Sequence, residues 1–160
     1  MSTRCYIGLK NDDNSISSIY CHFDGYVEKG VGQKLLENYK DVSKIKQLLD
    51  LGDLSSLGTT PVDNPSAWDE YPRSDTEFVL KTFLEWQKQH HPDNLCDTYR
   101  RRGDALTDAK HDPSEEAWKK KLDQDGFYLY LFKDNKWHVK VPGSEEFVPL
   151  SEYKTKTDVE

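Results

Sequence analysis

The chain has 160 residues and a formal net charge of −7, from 22 basic and 29 acidic side chains. That length suits one domain with its own core, and the acidic balance excludes bulk nucleic-acid binding, which needs a basic surface to release counterions from a phosphate backbone. Only 35% of residues are hydrophobic, yet 4 Trp, 9 Tyr and 6 Phe are more aromatic residues than a disordered chain carries, so a small, aromatic-rich core is expected.

The first element is a hairpin. Runs CYIGLK (5–10) and ISSIYCHF (16–23) lean toward strand and are separated by Asn11-Asp12-Asp13-Asn14-Ser15, which is turn chemistry. An antiparallel register places Cys5 near Cys21, where a disulfide is conceivable; two small half-buried thiols is the plainer reading. Alternation puts Ile16, Ser18, Tyr20 and His22 on one face of the second strand and Ser17, Ile19, Cys21 and Phe23 on the other, the better core candidate. Asp24-Gly25 then turns the chain.

Over residues 31–51 the apolar positions recur by threes and fours, the stripe of an amphipathic helix whose core residues are Leu35, Tyr39, Ile45, Leu48 and Leu49. Asp41-Val42-Ser43 is able to cap a second helix and divide the segment into a helical hairpin. Gly52 is a natural stop, and Leu54 and Leu57 are expected to fold back on the helix.

Residues 59–95 read as an insertion on a single domain spanning 1–160. Its first part, with Pro61, Pro65 and Pro72, is a loop; Ser74-Asp75-Thr76-Glu77 is a capping box for a helix running to His91 and stopped by Pro92. Asp112-Pro113 supplies an N-cap and first helical position for a helix through Trp118 and Leu122. Residues 127–133 and 136–141, joined by Asp134-Asn135, form a second hairpin with a two-residue turn. Residues 147–153 add an edge segment. The expected fold is α+β: an antiparallel sheet from the two hairpins, with helices packed on one face.

Two constellations carry chemistry. Tyr20, His22, Asp24 and Tyr26 offer an imidazole, a carboxylate and phenols at alternating positions, suited to binding a polar ligand, or to capping a strand end. Tyr99, Arg100, Arg101 and Arg102 offer forked guanidinium donors beside a stacking ring, suited to a phosphate-bearing ligand, or to a solvated charge run. Together these eight residues are the expected ligand site. No catalytic residue is assigned, and neither metal nor cofactor is expected: His90-His91-Pro92-Asp93 lacks ligand spacing, and 11–15 lacks the glycine and distal glutamate of a calcium loop. Gly30-Val31-Gly32 is not a dinucleotide fingerprint, although N–H groups at that helix start could receive an anion. The three cysteines form no CxxC, and there is no run of 18 apolar residues, so a protein of a reducing cytosol with no membrane partner is expected.

The stretches MSTRCYIG, IYCHFDGY, VGQKLLENY, LGDLSSLG, YRRRGD and YLYLFKDNKWHV are similar to those of a family of small, functionally ill-defined proteins encoded by bacteriophages and prophages. The likeness extends over most of the chain apart from 59–95. Where the family reads YHRxRGED, this chain reads YRRRGD, without the histidine. The resemblance implies a phage accessory protein in the host bacterial cytoplasm and carries over no catalytic residue. With the Arg and aromatic clusters, it leads to the expectation of a counter-defence protein, alone or as a homo-oligomer, that sequesters a small nucleotide-derived signal or blocks a host defence protein. The alternatives are a small hydrolase acting on a phosphate compound through His22 and Asp24, and an acidic DNA mimic.

Overall fold

The computed structural model describes residues 3–62, 95–99, 107–122, 126–144 and 146–153. The proline loop and capping-box helix expected within 63–94, and Arg100, Arg101 and Arg102, lie outside them.

The described residues form a mixed α+β fold. Strands β1 (Cys5–Lys10), β2 (Ile16–Cys21), β3 (Leu54–Ser56), β4 (Asp97–Thr98), β6 (Tyr128–Lys133), β7 (Lys136–Lys140) and β8 (Val148–Pro149) lie in the order β4-β3-β2-β1-β6-β7-β8, and β5 (Lys110–Asp112) pairs with β2 alongside that path. Both expected hairpins are present. The first has the register Cys5↔Cys21 through Lys10↔Ile16. The second turns at Asp134 and Asn135, both left-handed at φ 52° and 64°, as a two-residue hairpin turn requires.

The sheet is not purely antiparallel, because the two hairpins meet through parallel pairing of β1 with β6, from Cys5↔Tyr128 to Leu9↔Phe132. Strand β3 also runs parallel to β2. Period-two alternation specifies which face of a strand is buried and reads the same in either direction, so it cannot set polarity. Polarity follows from the connection, which returns the chain to the end of the sheet where β1 begins.

Helices cover both faces, not one. On the first face, α1 (Val31–Asn38) and α2 (Val42–Asp50) pack on Cys5, Ile7, Leu9, Ile19, Cys21, Tyr130, Phe132 and Val139. All five expected helix-stripe residues, Leu35, Tyr39, Ile45, Leu48 and Leu49, are buried. The segment is the helical hairpin that Asp41 permits, its carboxylate accepting from the Ser43 N–H at 3.2 Å; Gly52, at φ 79°, ends it. Tyr39 ties the corner down, donating its hydroxyl to the Gly58 carbonyl at 2.7 Å while its own carbonyl accepts from Trp137 Nε1 at 2.7 Å. Leu54 and Leu57 are buried beneath it as expected, whereas Phe23 is 45% exposed because the strand ends at Cys21.

On the second face, α3 (Glu115–Leu122) places Trp118 and Leu122 over Ile16, Leu129 and Leu131. The central strands are apolar on both faces, so one helical layer cannot cover them. Gly8 lets Trp118 approach closely: a Cβ there would stand 3.1 Å from the indole. The indole N–H donates to Ser18 Oγ at 2.9 Å. The N-cap of α3 is Ser114, whose hydroxyl accepts from the Ala117 N–H at 3.1 Å, and not Asp112, which pairs with Lys121 at 3.0 Å.

Cys5 and Cys21 sit directly opposite, fully buried and unbridged. Because the neighbouring Tyr20 N–H points away from β1, toward Asp53, the cysteines occupy the hydrogen-bonded kind of pair, where side chains stand farther apart. Burial, reinforced by Cys21, pushes the Cys5 thiol well above its ordinary value, which keeps it protonated and inert.

Candidate functional site

Strand β2 has two partners on one edge. Strand β5 pairs with Ile16, Ser17 and Ser18, and β3 pairs with Cys21, which leaves Tyr20 in the gap between them. A buried N–H in such a gap needs an acceptor, and Asp53 supplies it: Oδ1 accepts from the Tyr20 N–H at 2.9 Å. The Asp53 carbonyl accepts from the Tyr99 N–H at 3.1 Å, and its own N–H donates to the Thr107 carbonyl at 2.7 Å. One residue thereby fixes the backbones of both Tyr20 and Tyr99. Desolvation pushes the Asp53 carboxyl above the usual carboxylate range, against the lowering effects of the Tyr20 N–H and Lys110.

Around Tyr20 the second sheet face becomes an aromatic shelf. Tyr6 lies opposite Tyr20 on β1, with ring centroids 5.5 Å apart. Phe127, at the entrance to β6, is 5.3 Å from Tyr6 and 6.2 Å from Tyr20. The Tyr99 ring runs near parallel to Tyr20, at 6.4 Å and 24°. The inner edges of Tyr6 and Phe127 pack on the Trp118 cluster, which anchors the rings while all four remain only partly buried.

The shelf has polar tips and, among the described residues, an exposed cation beside its rings, Arg4. The Tyr20 hydroxyl lies 2.6 Å from His22 Nδ1 and donates to it when that nitrogen carries no proton. Burial raises the Tyr20 hydroxyl above its ordinary value, reinforced by Tyr99 and opposed by Arg4. The Arg4 guanidinium stands 4.9 Å over the Phe127 ring and hydrogen-bonds the Tyr20 hydroxyl. Phe23 meets His22 edge-on at 4.6 Å and closes that side.

Of the expected site residues, Tyr20, His22 and Tyr99 come together here. Asp24 and Tyr26 do not join them by hydrogen bonding: with the strand ended and Asp24 left-handed at φ 59°, the Tyr26 hydroxyl donates to Asp24 Oδ1 at 2.9 Å and the two form their own exposed pair. Nor are the first N–H groups of α1 open to an anion. Val31 donates to the Asp24 carbonyl at 2.7 Å, Gly32 to that of Tyr26 at 3.3 Å and Gln33 to that of Val27 at 2.9 Å. Arg4, Tyr6, Asp53 and Phe127 were not among the expected residues. The register that placed Cys5 beside Cys21 also places Tyr6 beside Tyr20, and was the available signal for that pair.

One other feature is set apart from the shelf. A cleft of about 530 Å³ opens between the two hairpin turns and the start of α2, floored by Leu9 and Phe132 and edged by Lys10, Lys133, Asp13 and Asp134. Glu115 engages both Lys10 and Lys133, at 3.7 and 2.9 Å, and the cleft contains none of the expected site residues. Among the described residues, no group of three or more His, Cys, Asp or Glu is placed to hold a metal ion, and no helix is long and apolar enough to cross a membrane. Comparison with protein-family models, curated proteins and solved structures found no match to this chain.

Proposed function

We propose that this protein binds and sequesters a small nucleotide-derived molecule on the Tyr20 shelf, as a phage accessory counter-defence protein acting in the host bacterial cytoplasm. The observation that carries this reading is the convergence on Tyr20 of Tyr6, Tyr99, Phe127 and His22, with the Arg4 guanidinium over Phe127. Rings that are anchored on one edge present flat faces for a base. A guanidinium beside them supplies forked donors for a phosphate in an otherwise acidic chain. The phage setting rests on the sequence resemblance.

The geometry favours binding over hydrolysis. An acid–base pair of His22 and Asp24 would need the two groups to cooperate, whereas His22 Nδ1 is engaged by Tyr20 and the Asp24 carboxylate by Tyr26. The test is to incubate the purified protein with a panel of linear and cyclic nucleotides, remove unbound material, denature the protein and identify what is released by mass spectrometry. Recovery of an intact nucleotide is expected. A converted nucleotide, with conversion lost in His22→Gln, would overturn sequestration in favour of catalysis. No nucleotide, together with a stable complex with a host protein, would replace it with inhibition by contact.

A further inference from the structure

Three consecutive residues of the stretch LGDLSSLG hold one side of the shelf. The Asp53 carboxylate accepts from the Tyr20 N–H at 2.9 Å and the Asp53 carbonyl from the Tyr99 N–H at 3.1 Å. The next two carbonyls, of Leu54 and Ser55, accept from the N–H groups of His22 and Phe23, each at 3.0 Å. The pairing of β3 with β4 shifts register by one residue at this place, from Ser56↔Asp97 to Leu54↔Thr98, and leaves Tyr99 beside Asp53. Such shifts are a common device for re-aiming a side chain next to a site. The Trp118 cluster steadies Tyr6 and Phe127, whereas Tyr20 and Tyr99 are joined through residue 53.

Strand β3 lies between β2, which carries Tyr20, and β4, which leads into Tyr99. Strands two apart are roughly 10 Å from each other, yet the Tyr20 and Tyr99 ring centroids approach to 6.4 Å. The residue between them therefore has to be short and has to keep its side chain out of the way. Asp53 does both, because its carboxylate is drawn to the main chain of β2 by the Tyr20 N–H. From this we infer that Asp53 is the positioning residue of the shelf: pinned to the Tyr20 main chain, it carries Tyr99 alongside the Tyr20 ring, so that the two rings present one surface to a nucleotide base. The inference rests on the binding reading above and adds to it a residue that acts through Tyr99 without touching the nucleotide. It is the accepted N–H at a fixed reach, and not the negative charge, that does the positioning.

The test is isothermal titration of the full chain with adenosine 5′-monophosphate, in the wild type, Asp53→Asn, Asp53→Glu and Asp53→Ala, each also made in a Tyr99→Leu background. Asp53→Asn keeps an acceptor at the same reach and is expected to bind as the wild type does. Asp53→Glu keeps the charge but moves the carboxylate outward by one methylene, and Asp53→Ala removes the acceptor. Both are expected to weaken binding at least about fivefold, the smaller end of what one stacking ring contributes; if Asp53→Ala does not fold, Asp53→Glu carries the comparison. In the Tyr99→Leu background the same changes should weaken binding little further, since the ring through which Asp53 acts is gone. In the protein without nucleotide, proton cross-relaxation between the Tyr20 and Tyr99 rings should survive in Asp53→Asn and be lost in Asp53→Glu. Wild-type affinity in a folded Asp53→Glu would overturn the inference and leave nucleotide sequestration standing. So would an equal loss with and without the Tyr99 ring, which is what a merely structural role predicts, or a loss in Asp53→Asn as large as in Asp53→Glu, which would assign the effect to charge. No binding of adenosine 5′-monophosphate by the wild type at millimolar concentration would count against the inference together with the reading beneath it.

Discussion

Asp53 joins three segments of chain through one residue, accepting from Tyr20 and Tyr99 and donating to Thr107. Its side chain does two separable things: it accepts a buried N–H and it holds a charge that burial disfavours. Asp53→Asn keeps an acceptor and removes the charge, so it should leave stability at neutral pH unchanged or raised. Asp53→Ala strands the Tyr20 N–H and should cost about 1–3 kcal/mol in a denaturant titration. The pH dependence separates the two roles. A carboxyl whose folded value is raised contributes stability that is present below its unfolded value near 3.8 and is lost as pH rises through the higher folded value. Asp53→Asn should therefore flatten stability between acid and neutral pH, and an unchanged profile would show that burial of Asp53 is not felt. His138 works in the opposite direction. It is 8% exposed, its Nδ1 has no hydrogen-bond partner among the described residues, and burial, then Lys133, lowers it below the usual 6.5. A histidine depressed in the folded state contributes stability that is present above 6.5 and is lost as pH falls toward the lowered value. His138→Leu should make the urea midpoint less sensitive to acid between neutral pH and that range; an equal acid loss in both proteins would assign the sensitivity to other groups.

At the scale of elements, the sequence was informative wherever the signal was local. Asp134-Asn135 named the second turn, Asp41 named the break between α1 and α2, and the spacing of Leu35, Ile45, Leu48 and Leu49 named the buried helix face. Leu48, fully buried on α2, should cost roughly 2–5 kcal/mol when replaced by alanine, as a large-to-small core change; a melting temperature unchanged within error would mean that the helix packs by another face. Signals that depend on two distant segments were not legible. The parallel pairing of β1 with β6 leaves no trace in alternation, and the burial of Trp118 against Gly8 joins residues far apart in the chain. The cap of α3 passed to Ser114 because Asp112 is held in β5 and paired with Lys121. For the site, Tyr20 and His22 could be read from one strand, whereas Arg4, Tyr6 and Phe127 enter it through β1 and β6 and become neighbours only once the sheet is assembled.

Over the whole molecule, α1 and α2 close one face of the mixed sheet, and α3 covers part of the other. The part beside α3 carries the cluster of rings, with the Arg4 guanidinium over Phe127 and the His22 imidazole against the Tyr20 hydroxyl. The sequence stretch IYCHFDGY thus has a double use: Tyr20 and His22 face the shelf, while Asp24 and Gly25 build the corner on which α1 starts, their carbonyls accepting from Val31 and from the Tyr130 hydroxyl. The central claim is that ligand binding belongs to the shelf and not to the cleft at the opposite end of the sheet. It is tested most directly by titrating the nucleotide retained by the wild type into Tyr20→Ala and, separately, into Lys46→Ala at the cleft, with the melting temperature of each protein measured alongside. Loss of the ring on which the others converge predicts that Tyr20→Ala weakens binding at least about tenfold while Lys46→Ala binds as the wild type does. Unchanged affinity in a folded Tyr20→Ala, with the loss appearing in Lys46→Ala, would contradict it and move the site to the cleft.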